Sequence, residues 1–277
     1  MKKSLNCSGR ILDLSTKTVM GILNLSPDSF YDGGKHISGK QYIEHAGKMI
    51  AEGAAIIDIG GQSTRPGAEL LSDEEEWSRV QKPLSELKKE FPQTIFSIDT
   101  FHSSVAARAV KAGVSIINDI SGGNMDKEMF STVAELKVPY IVMHMQGTPQ
   151  TMQINPVYDD VVMDVLNFFN LKIDELKDLG LPDIIIDPGF GFGKTLDQNY
   201  LLLKHLSIFK FCKVPIIVGL SRKSMISNVI SETKSNSLNG TTVLNTIALM
   251  KGADILRVHD VKEAVEAVNL IAKMQTV

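Results

Sequence analysis

The sequence predicts an α/β fold, a (β/α)8 TIM barrel with a short N-terminal hairpin and two long mobile βα loops, in one domain over residues 1–277. Two observations predict it. Eight short apolar runs rich in Ile and Val, at about 18–24, 55–60, 94–99, 115–120, 140–145, 183–187, 215–220 and 255–259, are mostly continuous rather than alternating, which is how parallel strands covered on both faces read. Helical patterns lie between them, and strict strand–helix alternation repeated about eight times favours a closed barrel over an open doubly wound sheet. The length suits one such domain, since α/β barrels run to about 250 residues as single units.

In chain order, residues 5–17 precede the first run and contain Ser8-Gly9, so they are expected to form a hairpin closing the amino end of the barrel. The first run ends at Asn24 and leads into a long connection, Ser26 to Gly39. The second carries Asp58 and leads into another, Gln62 to Asp73. Both connections are rich in Gly, Pro, Ser and Asp, and in a barrel such βα loops cover the active-site end as mobile lids. Ser72 and Glu75 make a capping box ahead of Trp77, Val80, Leu84 and Leu87, with a kink expected at Pro83. Val105, Ala109 and Val110 form a helical stripe that stops at Gly113, and Val243, Ile247 and Met250 one that stops at Gly252.

The composition narrows the function. A hydrophobic content of 43% supports a large core, and a net charge of −3 argues against a nucleic-acid or membrane-surface partner. Cys7 and Cys212 are too few and too far apart for a disulfide framework or a zinc site, and are expected to be inert thiols. The N-terminal MKKSLNCSGRILDL is too broken by polar residues for a signal sequence, and no run reaches the roughly 20 apolar residues of a membrane helix, so a cytoplasmic location is expected.

The strand ends carry the chemistry. Asp99, Asn118 and Asp187 end three different strands and converge in a barrel. Two carboxylates and an amide suit a heterocycle with several N–H donors and a carbonyl, or a divalent metal. Helix capping would explain any one of them but not all three; Asp119 is the better local cap. Arg222, Lys223, Arg257 and His259 follow the last two strands, where this fold commonly binds phosphate, so the substrate is expected to be anionic. A structural salt bridge is the lesser expectation for Arg257. The run DPGFGFGKT at 187–195 lacks the spacing of a P-loop or a dinucleotide fingerprint. It reads as a Gly-rich turn offering Phe190 and Phe192 to a ring, with core packing of at least one equally expected. His144 reads as a satisfied core or supporting residue, and Met143, Met145, Met152 and Met163 as core filler.

GILNLSPDSFYDGG, GGQSTRPG, SIDT, INDISG, MHMQGTPQTMQ, IDPGFGFGKT, GLSRKSMI and RVHDV occur in the order seen in the dihydropteroate synthase family, which the chain resembles over almost its whole length. The resemblance implies a folate-pathway transferase that joins 6-hydroxymethyl-7,8-dihydropterin diphosphate to 4-aminobenzoate, releasing pyrophosphate with Mg2+. It also implies a homodimer inhibited competitively by sulfonamides. Asp99, Asn118, Asp187 and Lys223 match the pterin-binding positions, and Asn24, Arg257 and His259 the diphosphate and metal site, with Asn24 on Mg2+. Ser63, Thr64, Arg65 and Pro66 in the second loop and Phe30 in the first would close over aminobenzoate. Phe192, Lys223 and Ser224 would hold its ring and carboxylate, with Met143 and Gly219 among the substrate-binding positions. Arg65 is expected to order the loops over a pterin cation and keep water from it. Gln62 stands where many relatives carry Glu, which removes one partner for Arg65. A pterin-binding methyltransferase or a non-catalytic pterin-binding barrel is the alternative, although the Ser-Thr-Arg-Pro loop, SRKS and the Arg257/His259 pair favour the synthase. A barrel aldolase would need Lys223 as its Schiff-base amine.

Overall fold

The computed structural model describes residues 4–25, 41–63, 67–233 and 236–276. An antiparallel hairpin, β1 (Ser4–Cys7) and β2 (Arg10–Asp13), comes first. Its turn residues Ser8 and Gly9 both take left-handed φ, 55° and 87°, as a tight two-residue hairpin turn requires. Eight parallel strands follow: β3 (Thr18–Asn24), β4 (Ile56–Gly60), β5 (Ile95–Asp99), β6 (Ile116–Asp119), β7 (Tyr140–Met143), β8 (Ile184–Asp187), β9 (Ile217–Val218) and β10 (Ile255–Val258). Hydrogen bonding runs in the order β8-β7-β6-β5-β4-β3-β10-β9. A parallel bridge between Ile186 and Ile216, with Ile186 N donating to Pro215 O at 3.0 Å, brings β8 against β9 and closes the ring.

The helices wrap the outside. They are α1 (Gln41–Ala51), α2 (Asp73–Glu90), α3 (Ser103–Lys111), α4 (Met129–Leu136), α5 (Val161–Asp178), α6 (Leu196–Lys204), α7 (Ser224–Ile230), α8 (Leu238–Lys251) and α9 (Val261–Met274). The Ser72/Glu75 capping box is present, α2 runs on through Pro83 as one helix to Glu90, and Gly252 ends α8 in the left-handed conformation. The short α7 ahead of α8 breaks the strict alternation read from the sequence, and β9 is reduced to two residues.

The period-two alternation of strand side chains positions the site. Met20, Ile56, Ile95, Ile116, Ile141, Ile185, Ile217 and Ile255, one from each barrel strand, form a single buried layer with Leu5, Cys7, Leu12 and Leu14 of the hairpin segment. The hairpin thus plugs the amino end, and each buried aliphatic side chain of this kind contributes about 1.5–3 kcal/mol. Neighbours of opposite parity, such as Ile57, Phe96, Ile117, Val142, Ile186 and Val258, pack outward against the helices. Two residues beyond each member of the apolar layer stand Ile22, Asp58, Ser97, Asn118, Met143, Asp187, Gly219 and Arg257, inward again by the same alternation. The barrel interior therefore changes from hydrocarbon to polar within one step, at its carboxyl end.

Candidate active site

That polar layer is wired together. Asp58, fully buried on β4, accepts from Asn118 Nδ2 at 2.9 Å and from Arg257 Nε at 2.7 Å, while Arg257 Nη2 donates to Asp99 Oδ2 at 2.7 Å. Four strands thus meet in one network of two carboxylates, an amide and a guanidinium. Burial pushes the Asp99 carboxyl up against the pull of Arg257. Burial also acts to lower Arg257, but Asp58 and Asp99 beside it more than reverse this and hold it above the usual range. Asp58 Oδ1 is buried with no hydrogen-bond partner among the described residues, an acceptor without a donor at the centre of the barrel. The structural ion pair, the lesser expectation for Arg257, is therefore what the geometry displays.

Asp187 and Lys223 face this network. Asp187 Oδ1 accepts from Gly189 N at 2.8 Å, which orients the carboxylate at the end of β8, and burial raises its value against the pull of Lys223. Lys223, half-buried, donates to the Phe190 carbonyl and sits 4.6 Å from the centroid of the Phe192 ring. Burial, only partly offset by Asp187, lowers its ammonium to about 8. A Cβ at Gly191 would stand 3.4 Å from Lys223 Cδ and one at Gly219 3.9 Å from its Nζ, so both glycines leave room for the lysine. Phe190 is fully buried in the core and Phe192 only partly, so the two phenylalanines divide the roles the sequence left open.

Met143, Met145 and Met152 form an apolar wall with Phe101 and Ile120, against which Leu70, Met125 and Phe192 pack. Met163 does not join them: it lies on the outer face of α5, 42% exposed, which corrects its reading as core filler. Arg222 is also corrected, because its guanidinium pairs with Asp260 instead of joining Lys223 in the site. His259 lies by Ser221, whose Oγ is 3.1 Å from its Nδ1. Ser224 is exposed at the start of α7. Asp119 serves locally, accepting from Ser121 N, Gly123 N and the Tyr140 hydroxyl.

Asn24 is half-buried at the end of β3, in register with Gly60 and, through it, Asp99. A Cβ at Gly60 would lie 3.4 Å from Asn24 Oδ1 and 3.7 Å from Asp99 Cβ, so the glycine keeps the space between them open. Among the described residues no group of three or more His, Cys, Asp or Glu side chains could hold a metal by itself. Gln62 is buried and donates to the carbonyls of Ser63 and Glu69 at 2.8 and 2.9 Å while accepting from Leu71 N at 2.8 Å, which braces both ends of the second loop. Phe30, Thr64, Arg65 and Pro66 lie outside the described residues. The sequence marks Asp58 as a carboxylate carried by the apolar IIDIG run but assigns it no binding or catalytic role.

The sequence pattern of the pterin binding enzyme family matches residues 20–259. The chain belongs to the dihydropteroate synthase family of pterin binding enzymes. It is 45% identical to dihydropteroate synthase of Escherichia coli strain K12 over 265 residues, covering 95% of this chain and 93% of that one. Among solved structures it superposes on dihydropteroate synthase of Yersinia pestis in a sulfonamide complex with a TM-score of 0.93 and 41% identity, over 99% of this chain and 100% of that one. The Xanthomonas albilineans enzyme solved with 4-aminobenzoic acid superposes with a TM-score of 0.93 and 38% identity, over the whole of both chains. Membership makes the chain a transferase of folate synthesis. No helix among the described residues is long and apolar enough to cross a membrane.

Proposed function

We propose that the barrel mouth binds 6-hydroxymethyl-7,8-dihydropterin diphosphate and transfers its pterinylmethyl group to 4-aminobenzoate, giving 7,8-dihydropteroate and pyrophosphate. The observation that carries this reading is the inward layer of Asp58, Asn118, Asp187 and Arg257, with Asp99 and Lys223 beside it. Carboxylates accept the N–H groups of a pterin edge, the Asn118 amide both donates and accepts, and Lys223 donates to a ring carbonyl. The bond between the pterin methylene carbon and the diphosphate oxygen breaks heterolytically, and the electron pair leaves with pyrophosphate. Buried Asp99 and Asp187 stabilise the delocalised cation that remains. The amine nitrogen of aminobenzoate then supplies the pair for the new C–N bond, and the proton it loses passes to the departing pyrophosphate or to water. Arg257 and His259 bind the leaving anion, and Phe192 offers a flat wall to the aminobenzoate ring.

The residues present fit Mg2+ as an ion arriving with the diphosphate: Asn24 would offer it one neutral oxygen, and the remaining ligands would have to come from substrate oxygens and water. Bound there, the ion would neutralise charge on the leaving pyrophosphate. Arg65, with Phe30, Ser63, Thr64 and Pro66, is assigned to covering aminobenzoate and excluding water, and sulfonamides to competing for that place. The working unit is proposed as a homodimer, a reading supported by the exposed apolar side chains Val243, Met250, Leu270 and Met274 on neighbouring helices α8 and α9.

The test is pyrophosphate release by the purified chain with the dihydropterin diphosphate and Mg2+, with and without 4-aminobenzoate, alongside sedimentation of the same preparation. Aminobenzoate-dependent release with dihydropteroate in the mass spectrum, from a species of twice the chain mass, is expected. Pterin binding with no release would transfer the reading to a methyltransferase-like or non-catalytic barrel.

A further inference from the structure

Lys194 follows the Gly-rich turn and is 3% exposed, yet no carboxylate accepts from it. Its Nζ instead lies 3.0 Å from His144 Nδ1, 3.2 Å from His144 O, 2.9 Å from Gly189 O and 2.9 Å from Phe192 O. Burial holds this amine well below the usual lysine range, and with at most three protons for these four acceptors at least one is shared. Burial, with Lys194 second, lowers the His144 imidazole to about 2. The ring is therefore neutral, and in the tautomer protonated on Nε2 its Nδ1 accepts from Lys194.

This arrangement ties two loops together. His144 follows β7, and the three backbone acceptors lie on either side of the approach between that loop and the turn after β8. The approach is close enough to require glycine: a Cβ at Gly189, whose φ is +67°, would fall 1.9 Å from His144 O, and one at Gly193 2.4 Å from Gln146 O. Tyr158 donates to Gly193 O at 2.7 Å and Gln153 to Gly191 O at 2.9 Å, adding further ties from the same side. The turn so fixed carries the Phe192 ring and the Phe190 carbonyl, which are the two groups that hold Lys223.

We propose that Lys194 is a positioning residue for aminobenzoate: it pins the 189–192 turn to the end of β7 and thereby sets Phe192 and Lys223 where the ring and carboxylate of that substrate meet them. This rests on the transfer reading above. The buried amino group acts through other groups and touches neither substrate. A methionine in its place would fill similar volume and donate nothing, while glutamine keeps two N–H donors.

The experiment is steady-state kinetics of the full chain and of its Lys194→Met and Lys194→Gln variants, with both KM values, kcat and the melting temperature. Lys194→Met is expected to raise the aminobenzoate KM by about tenfold, the scale of a displaced aromatic or cation–π contact. The pterin diphosphate KM should rise less than that of aminobenzoate, because of the pterin contacts only Lys223 and Asp187 border this turn, while Asp58, Asp99 and Asn118 are held by other strands. Lys194→Gln should recover part of the loss. A lowered melting temperature with both KM values unchanged, equal shifts in both KM values, or failure of both variants to fold would each overturn the proposal by making Lys194 merely structural. If the unsubstituted chain shows no aminobenzoate-dependent turnover, the transfer reading fails and this proposal with it. An active wild type with an unshifted Lys194→Met removes this proposal alone.

Discussion

The titration of Lys223 follows from where its side chain ends. Burial lowers its ammonium to about 8 even with Asp187 opposing the shift, so the charged donor is present below that pH and lost as the pH rises through it. The kcat/KM for pterin diphosphate, which reports the free enzyme, is therefore expected to fall above about pH 8. A profile flat to about pH 9.5 would remove Lys223 from the role of charged donor. Residues such as Asp99, Asn118 and Asp187 were legible because each stands at the end of an apolar run, where the alternation of a strand decides which way it points, and Lys223 because it follows the next-to-last run, although it caps α7 beyond the strand. Asp58 lies mid-run, and its burial under Arg257 becomes visible only when β4, β6 and β10 are side by side. The Lys194 and His144 pair is 50 residues apart in sequence, and nothing local to either predicts that the two loops meet.

Helix α2 displays the same contrast one level up. Its capping box was readable, and Ser72 and Glu75 exchange the expected backbone contacts. The acidic first turn, Asp73 to Glu76, complements the helix dipole, but Glu76 points inward beneath Gly61 and is fully buried. Its Oε2 accepts from Thr100 Oγ1 at 2.9 Å, one residue past Asp99, and its Oε1 has no hydrogen-bond partner among the described residues. Burial pushes this carboxyl up to about 8. A folded-state value raised above the unfolded one makes the contribution of Glu76 to stability full below about pH 4.3 and progressively lost as the pH rises through about 8. Glu76→Gln, which retains an acceptor for Thr100 and carries no charge, should raise unfolding free energy by about 1–3 kcal/mol near pH 9 and change it little near pH 5. Denaturant unfolding at the two pH values checks this, and an equal effect at both would contradict it.

The whole molecule follows one rule: strand parity sends apolar residues outward to the helices and to a hairpin-plugged amino end, and sends polar residues to the opposite mouth. That rule was readable from eight apolar runs. The two-residue β9, the extra α7 and the exact strand limits were not, because closure against Pro215 and Ile216 is decided by the ring as a whole. The central claim is that this mouth recognises a pterin through its buried carboxylates. Calorimetric titration of 6-hydroxymethylpterin into the wild-type chain and into Asp187→Asn tests it most directly, since the amide oxygen can still accept from Gly189 N and keep the turn in place. Binding to the wild type with at least a roughly tenfold weaker affinity in the variant is expected for a lost charge-assisted hydrogen bond. Equal affinity in the two proteins would contradict it.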